Sequence, residues 1–167
     1  MYALLLGPAF ETLPDSIRAL HRSPGSFRHR GECRVRRGDR LVSRLLGFAA
    51  ALPPAGITVL DVAIESDGKN EVWRRGFGSH RMQSRLAARD GLLRESLGLA
   101  RLAFRLHIEE GGVRWKLVEV RALGVTLPRR WFDLDVSERD VNGRYHFDVR
   151  VEIRGVGLLV HYAGWLA

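Results

Sequence analysis

The stretch EVWRRGFGSHRMQSRL, residues 71–86, carries side chains that could bind an anion. Arginines and aromatic residues alternate with other side chains on both sides of Gly76, which predicts a β-hairpin with one strongly basic face. Arg75 and Arg81 could converge on a phosphate or carboxylate, and Trp73 could supply a stacking or apolar wall. The same spacing also suits a solvated hairpin in which arginine stems cover aromatic rings. Both interpretations remain open at this stage.

Histidines and carboxylates are scattered along the strands that follow. His146 and Asp148 share one strand face and could orient a base or contribute to a metal site, although alternating charges also suit a solvated ion ladder. Asp133 and Asp135 share another face and offer two carboxylates for acid and base chemistry. His161 lies in an apolar segment and could contact the polar end of a ligand or be an ordinary buried histidine. This pattern identifies no catalytic residue, metal site or cofactor.

Composition limits the functional classes. The 167 residues predict a single domain, residues 1–167, with a substantial core. The formal charge of +8 is carried almost wholly by arginine, and it favours acidic partners such as nucleic acid or anionic lipid. A lone cysteine, Cys33, suits a reducing compartment, and no apolar run is long enough to span a bilayer. These features predict a soluble, cytoplasmic protein without a transmembrane segment.

Two helices are predicted in the first third of the chain. The first begins near Thr12 and ends near Arg22, before Ser23-Pro24-Gly25. The second runs from Leu41 to Leu52 and has an unusually wide apolar stripe. A stripe this wide predicts that the helix covers an opening or a face of the sheet, with Phe48 packed against it. The alternative is a membrane-surface helix with nearby arginines at the lipid headgroups.

A period of two dominates the rest of the chain and predicts a β-rich α+β protein. The predicted strands are 27–37, 57–65, 71–78, 80–88, 91–97, 101–109, 112–122, 131–138, 144–153 and 157–165. Short connections imply antiparallel neighbours, and nine or ten such strands would leave exposed edges unless the sheet curls or closes. We therefore expect a curved antiparallel sheet, a barrel or half-barrel, with two N-terminal helices. The apolar C-terminal strand should be central in it.

Four separated segments carry a resemblance to a known family: LLGPAFETLP, EVWRRGFGSHRMQSRL, YHFDVRVEIRGVG and GLLVHYAGWLA. Together they resemble an uncharacterised family of bacterial domains that is often fused behind a saccharopine-dehydrogenase-like reductase. The resemblance extends over nearly the whole chain and implies association with an oxidoreductase. It implies no activity, catalytic residue or ligand. No dinucleotide-binding fingerprint is present in the chain itself.

Three functional hypotheses follow. The first is a binding module for a small apolar or amphipathic ligand, with Trp73, Arg75, Arg81 and His161 as candidate contacts and an interior pocket of more than about 300 Å³. The second is an enzyme or enzyme subunit that acts on such a ligand. The third is nucleic-acid or anion binding through the arginine-rich faces, which is disfavoured because most aromatic residues occupy the opposite, apolar faces.

Overall fold

A computed structural model describes residues 1–22 and 24–167. In this part of the chain, ten antiparallel strands form a closed barrel, because β6 pairs with β7 as well as with β5. The order around the barrel is β1-β2-β3-β4-β5-β6-β7-β9-β10-β11, and β11 pairs with β1. The strands are β1 Gly25–Arg37, β2 Gly56–Ser66, β3 Asn70–Phe77, β4 His80–Arg89, β5 Leu92–Leu97, β6 Ala100–Glu109, β7 Gly112–Ala122, β8 Val125–Leu127, β9 Phe132–Val141, β10 Arg144–Ile153 and β11 Gly157–Leu166.

The predicted barrel is confirmed, and the strand bounds agree with the sequence pattern to within about three residues. Tight hairpins explain this agreement. Asp90-Gly91 and Asn142-Gly143 both have positive φ at the two turn positions, as a type I′ turn requires. The C-terminal strand β11 lies between β1 and β10, so its central position is confirmed. The three-residue strand β8 was not predicted; it pairs only with β7 and lies outside the closed ring.

The N-terminal segment closes one end of the barrel. It consists of α1 (Tyr2–Leu6), a 3₁₀ helix (Gly7–Thr12) and α2 (Asp15–Leu20). Apolar residues from all three pieces are buried in the main core, and α2 lies against β9 and β10. The first predicted helix is therefore shorter than expected, and α1 precedes it; Ser23, part of the predicted stop signal, lies outside the described residues. We call this the plug end.

The helix α3 (Leu41–Ala49) lies at the opposite end, between β1 and β2 and against β11. Because β1 starts at the plug end, the β3–β4, β5–β6, β7–β9 and β10–β11 connections also lie at this opposite end, which we call the α3 end. The second predicted helix is therefore confirmed, but its expected packing is wrong: the Phe48 side chain is 87% exposed. No helix in residues 1–22 and 24–167 is long and apolar enough to cross a membrane.

Candidate functional site

The barrel encloses an apolar cavity of about 110 Å³, and the atom-free space is about 880 Å³ when its open mouth is included. The enclosed part is smaller than the pocket of about 300 Å³ that we expected, so a drug-sized ligand does not fit inside without side-chain movement. A dry cavity of about 150 Å³ nevertheless holds benzene. The lining residues are Leu52, Leu60, Val62, Trp73, Arg75, Phe77, Met82, Glu95, Leu97, Leu102, Phe104, Trp115, Leu134, Val136, Glu138, Tyr145, Phe147, Val149, Val151, Val160, Tyr162 and Leu166.

Among the described residues that form this lining, Arg75 is the one with a cationic side chain. Its guanidinium donates a hydrogen bond of 2.8 Å to the Ser84 hydroxyl and lies 4.8 Å from the centre of the Trp73 ring. A carboxylate oxygen of Glu95 is 3.7 Å from the guanidinium, and both side chains are only 11% exposed. The charges of Arg75 and Glu95 therefore offset each other inside the barrel. The guanidinium has five N–H donors, so it keeps donors that Ser84 does not use.

Tyr162 adds a hydroxyl to the same wall. Burial raises the pKa of Tyr162 to about 12, and the nearby Arg75 charge opposes this rise. Among the described residues, the Tyr162 hydroxyl has no hydrogen-bond partner, and the side chain as a whole is partly exposed. The wall thus presents a neutral O–H and an arginine to an otherwise apolar space.

A second polar group lies at the plug end around Glu138. The Tyr2 hydroxyl donates to one carboxylate oxygen at 2.8 Å, and His21 Nε2 lies 2.9 Å from the other. Tyr145 also hydrogen-bonds to this carboxylate, and the Tyr2 ring stacks on His21 at 3.5 Å between centroids. Burial, followed by the Glu138 charge, raises the pKa of Tyr2 and Tyr145 well above the usual value. Three donors satisfy one carboxylate and hold the N-terminal segment in the barrel.

Glu71 is a third buried carboxylate, and it accepts hydrogen bonds from Trp73 Nε1 at 2.8 Å and from Ser66. Within the described residues, the barrel interior therefore contains three carboxylates, including Glu95 and Glu138, and the positive charges near them include Arg75 beside Glu95 and the buried N-terminal ammonium near Glu71. An additional anion placed near Arg75 would compete with Glu95 for the same guanidinium. The electrostatics favour an uncharged polar group beside Arg75 and Tyr162.

The structure brings together only part of the predicted site. Trp73 and Arg75 line the cavity and contact each other. Arg81 lies on the outside of the barrel, where its guanidinium donates to the Gly78 carbonyl at 2.5 Å. His161 also faces outwards, and its Nε2 is 3.0 Å from an Asp148 oxygen. The alternation of β4 and β11 directs these two side chains away from the cavity.

The candidate catalytic groups are also on the outer surface. Asp133 and Asp135 are exposed, and His146 alternates with the inward-facing Tyr145 and Phe147. Among the described residues, no group of three or more histidine, cysteine, aspartate or glutamate side chains could hold a metal ion. The histidine that does meet a buried carboxylate, His21, does not line the cavity. This arrangement gives no side chain an evident catalytic role.

The sequence analysis missed Glu95 and Glu138 as interior residues. A usable signal exists for Glu138: it continues the face of Leu134 and Val136, which the alternation of β9 makes apolar. A carboxylate at an apolar position of an alternating strand indicates a buried polar contact. Its partners Tyr2 and His21 come from the distant N-terminal segment, so spacing along the chain cannot identify them.

A family model, "Domain of unknown function (DUF4166)", matches residues 13–166, which is nearly the whole chain. No curated protein matches this chain.

Proposed function

We propose that this chain, a member of the DUF4166 family of domains of unknown function, binds a small apolar or amphipathic molecule inside its barrel. The polar end of the ligand is uncharged and lies beside Arg75 and Tyr162. The observation that carries this proposal is the pair of polar groups on the wall of an apolar cavity: the Arg75 guanidinium, which keeps donors beyond its bond to Ser84, and the neutral Tyr162 hydroxyl.

The chemistry of the wall defines the ligand class. Apart from Glu95 and Glu138, aliphatic and aromatic side chains surround the rest of the cavity and favour an alkyl chain or a ring. A carbonyl, ester or hydroxyl oxygen can accept from Arg75 and Tyr162 without adding charge. A carboxylate at the same place would compete with Glu95 for the Arg75 guanidinium, and a charge without its own partner is costly to bury. Trp73 supplies a flat apolar surface beside the polar group.

Calorimetric titration with 1-octanol, octanoate and octylammonium tests this proposal. We expect octanol to bind at least about tenfold more tightly than either charged analogue, because a neutral head avoids the burial of an extra charge. The substitution Tyr162→Phe removes one donor and should weaken octanol binding by about threefold to tenfold.

A matched pair of variants locates the bound molecule. Val149→Trp places an indole in the cavity, whereas Val118→Trp places the same group on the exposed outer wall. Octanol binding should disappear in the first variant and persist in the second. The proposal is wrong if the unmodified protein binds none of the three compounds, or if binding survives Val149→Trp.

We retain the association with a reductase as part of the proposal, with the bound molecule as substrate or product of that reductase. The sequence resemblance supports it. Co-purification of the chain with a reductase of this class from its native source would support the association, and consistent isolation without one would contradict it. The buried, lone Cys33 supports a cytoplasmic, reducing location.

A further inference from the structure

The helix α3 is attached to the barrel through its smallest residues. Only Ser43 and Gly47 of this helix are buried. The Ser43 hydroxyl donates to the Leu158 carbonyl at 2.8 Å. Gly47 packs against the Arg37 guanidinium so closely that a Cβ atom would lie 1.5 Å from Arg37 Nη2. The contact between α3 and the barrel, which we call the seam, is therefore narrow and polar, and it leaves the apolar stripe of the helix exposed.

The large apolar side chains of α3 point into solvent. Phe48 is 87%, Leu41 72% and Leu45 62% exposed, and Val42 and Leu46 are exposed as well. A surface helix of a globular protein normally turns its apolar stripe towards the core. The orientation of α3 is the reverse of this arrangement. Such a patch on an otherwise well-packed protein indicates an interaction surface.

Connections at the same end of the barrel extend this apolar surface. Leu99 lies in the β5–β6 turn, and Leu123 and Val125 lie around the β7–β8 turn; each of the three is at least 61% exposed. Trp131, in the short 3₁₀ helix before β9, is 46% exposed. We refer to these four residues and the exposed apolar residues of α3 as the α3-end surface.

Arginines flank the α3-end surface. Arg44, Arg130 and Arg154 are exposed, and among the described residues none has a carboxylate within ion-pair distance. A surface groove of about 530 Å³ lies beside the start of α3, lined by Arg40, Arg130, Arg154 and Trp131, with Asp133 and Glu152 on the same wall. Glu152 is already paired with Arg150. The chain as a whole has a formal charge of +8.

We propose that the α3-end surface docks on an anionic lipid bilayer. Leucine, valine and phenylalanine side chains enter the boundary between headgroups and acyl chains, and the flanking arginines contact lipid phosphates. Trp131 suits the interface because its ring is apolar and its N–H is polar. Exposed apolar residues surrounded by unpaired cations match the chemistry of an anionic bilayer better than that of a neutral protein partner.

The docking rests on the outer surface and does not depend on the cavity ligand. If the proposed ligand is also correct, its route follows. Leu52, directly after α3, and Leu97, before the β5–β6 turn, line the cavity. The cavity therefore reaches the end of the barrel that faces the bilayer, so an apolar molecule can pass between the two without crossing bulk water.

Co-sedimentation with vesicles tests the docking. The vesicles contain either phosphatidylcholine alone or phosphatidylcholine with 30% phosphatidylglycerol, at low and high salt. We expect binding to the anionic vesicles that weakens as salt rises. The double variant Leu45→Ser and Phe48→Ser should lower the partition coefficient at least about tenfold without loss of thermal stability, because both side chains are already exposed.

Matched variants separate docking from general adsorption. Leu4→Ser with Val141→Ser removes two exposed apolar residues from the plug end and should leave binding unchanged. Arg44→Gln with Arg130→Gln should weaken binding about twenty-five-fold, since each cation near an anionic surface contributes about fivefold. The charge-matched control Arg28→Gln with Arg85→Gln changes exposed arginines of the barrel wall and should have a smaller effect.

Three results would overturn the proposal. The first is the absence of binding to anionic vesicles at low salt. The second is binding that is insensitive to Leu45→Ser with Phe48→Ser, which would show charge adsorption alone. The third is a dimer in light scattering that this same double variant dissociates, because a second copy would then cover the surface. Octanol titration in the absence of vesicles reports on the cavity separately.

Discussion

Glu138 supports the sharpest prediction about stability. Its carboxylate accepts hydrogen bonds from Tyr2, Tyr145 and His21, and Tyr2, His21 and Glu138 are each at most 3% exposed. Glu138→Ala removes the common acceptor and leaves three buried donors without a protein partner. A buried donor without a partner costs about 1–3 kcal/mol. A water molecule that enters the new space can accept from two of the three donors.

We therefore expect Glu138→Ala to lower the free energy of unfolding by about 3–5 kcal/mol, the range for breaking a buried charged group away from its partners. Tyr2→Phe removes one donor and leaves the carboxylate with two, so its cost should be about 1.5–3 kcal/mol, the range for a hydrogen bond to a charged group. The double variant should cost less than the sum of the two single variants, since the orphaned Tyr2 hydroxyl is then absent.

Urea denaturation followed by circular dichroism measures these free energies. Glu138→Gln is the matched control, because the amide keeps one acceptor oxygen and nearly the same volume; it should fall between the unmodified protein and Glu138→Ala. A loss below about 1 kcal/mol for Glu138→Ala would refute the reasoning, since one unsatisfied buried donor already costs that much. Strict additivity of Tyr2→Phe and Glu138→Ala would refute the direct contact between the two side chains.

Three further predictions follow from burial and strand pairing. All three tyrosines have a raised pKa in the folded protein, so the unfolded chain loses these protons at lower pH than the folded one. The contribution to stability is therefore fully present below about pH 10 and should fall as pH rises towards 12. Absorbance at 295 nm should show tyrosinate only as the protein unfolds. Burial also raises the pKa of Cys33 to about 12, so a disulfide reagent at pH 8 should modify this thiol only after denaturation; fast reaction of the native protein would contradict its burial. Deletion of residues 162–167 removes most of the part of β11 that joins β1 to β10, together with the ring contacts of Tyr162 with Phe77 and Phe147, so the truncated chain should unfold or aggregate. Retention of the parent melting temperature would show that closure does not need this strand.

The strands and their turns could be predicted from the sequence, because both depend on neighbouring residues. Alternation with a period of two determines which side chains share a face, and Asn142-Gly143 or Asp90-Gly91 determines where the chain reverses. The placement of Trp73 and Arg75 together on one strand face follows from the same alternation. Which of the two faces of a strand becomes the interior depends on closure of the barrel, and the alternation alone does not show this. The predicted site therefore also contained Arg81 and His161, which lie on the outside.

Contacts between distant segments were decided by the tertiary structure alone. Closure depends on the pairing of β11 with β1, about 130 residues apart, which no local pattern encodes. The group around Glu138 joins the first residues of the chain to β9 for the same reason. The helix α3 shows the limit most clearly: its sequence determined a helix with a wide apolar stripe, but the space beside β11 accepts only Ser43 and Gly47 against Leu158 and Arg37. Packing therefore turned the apolar stripe outwards, because the narrow seam has no room for larger side chains.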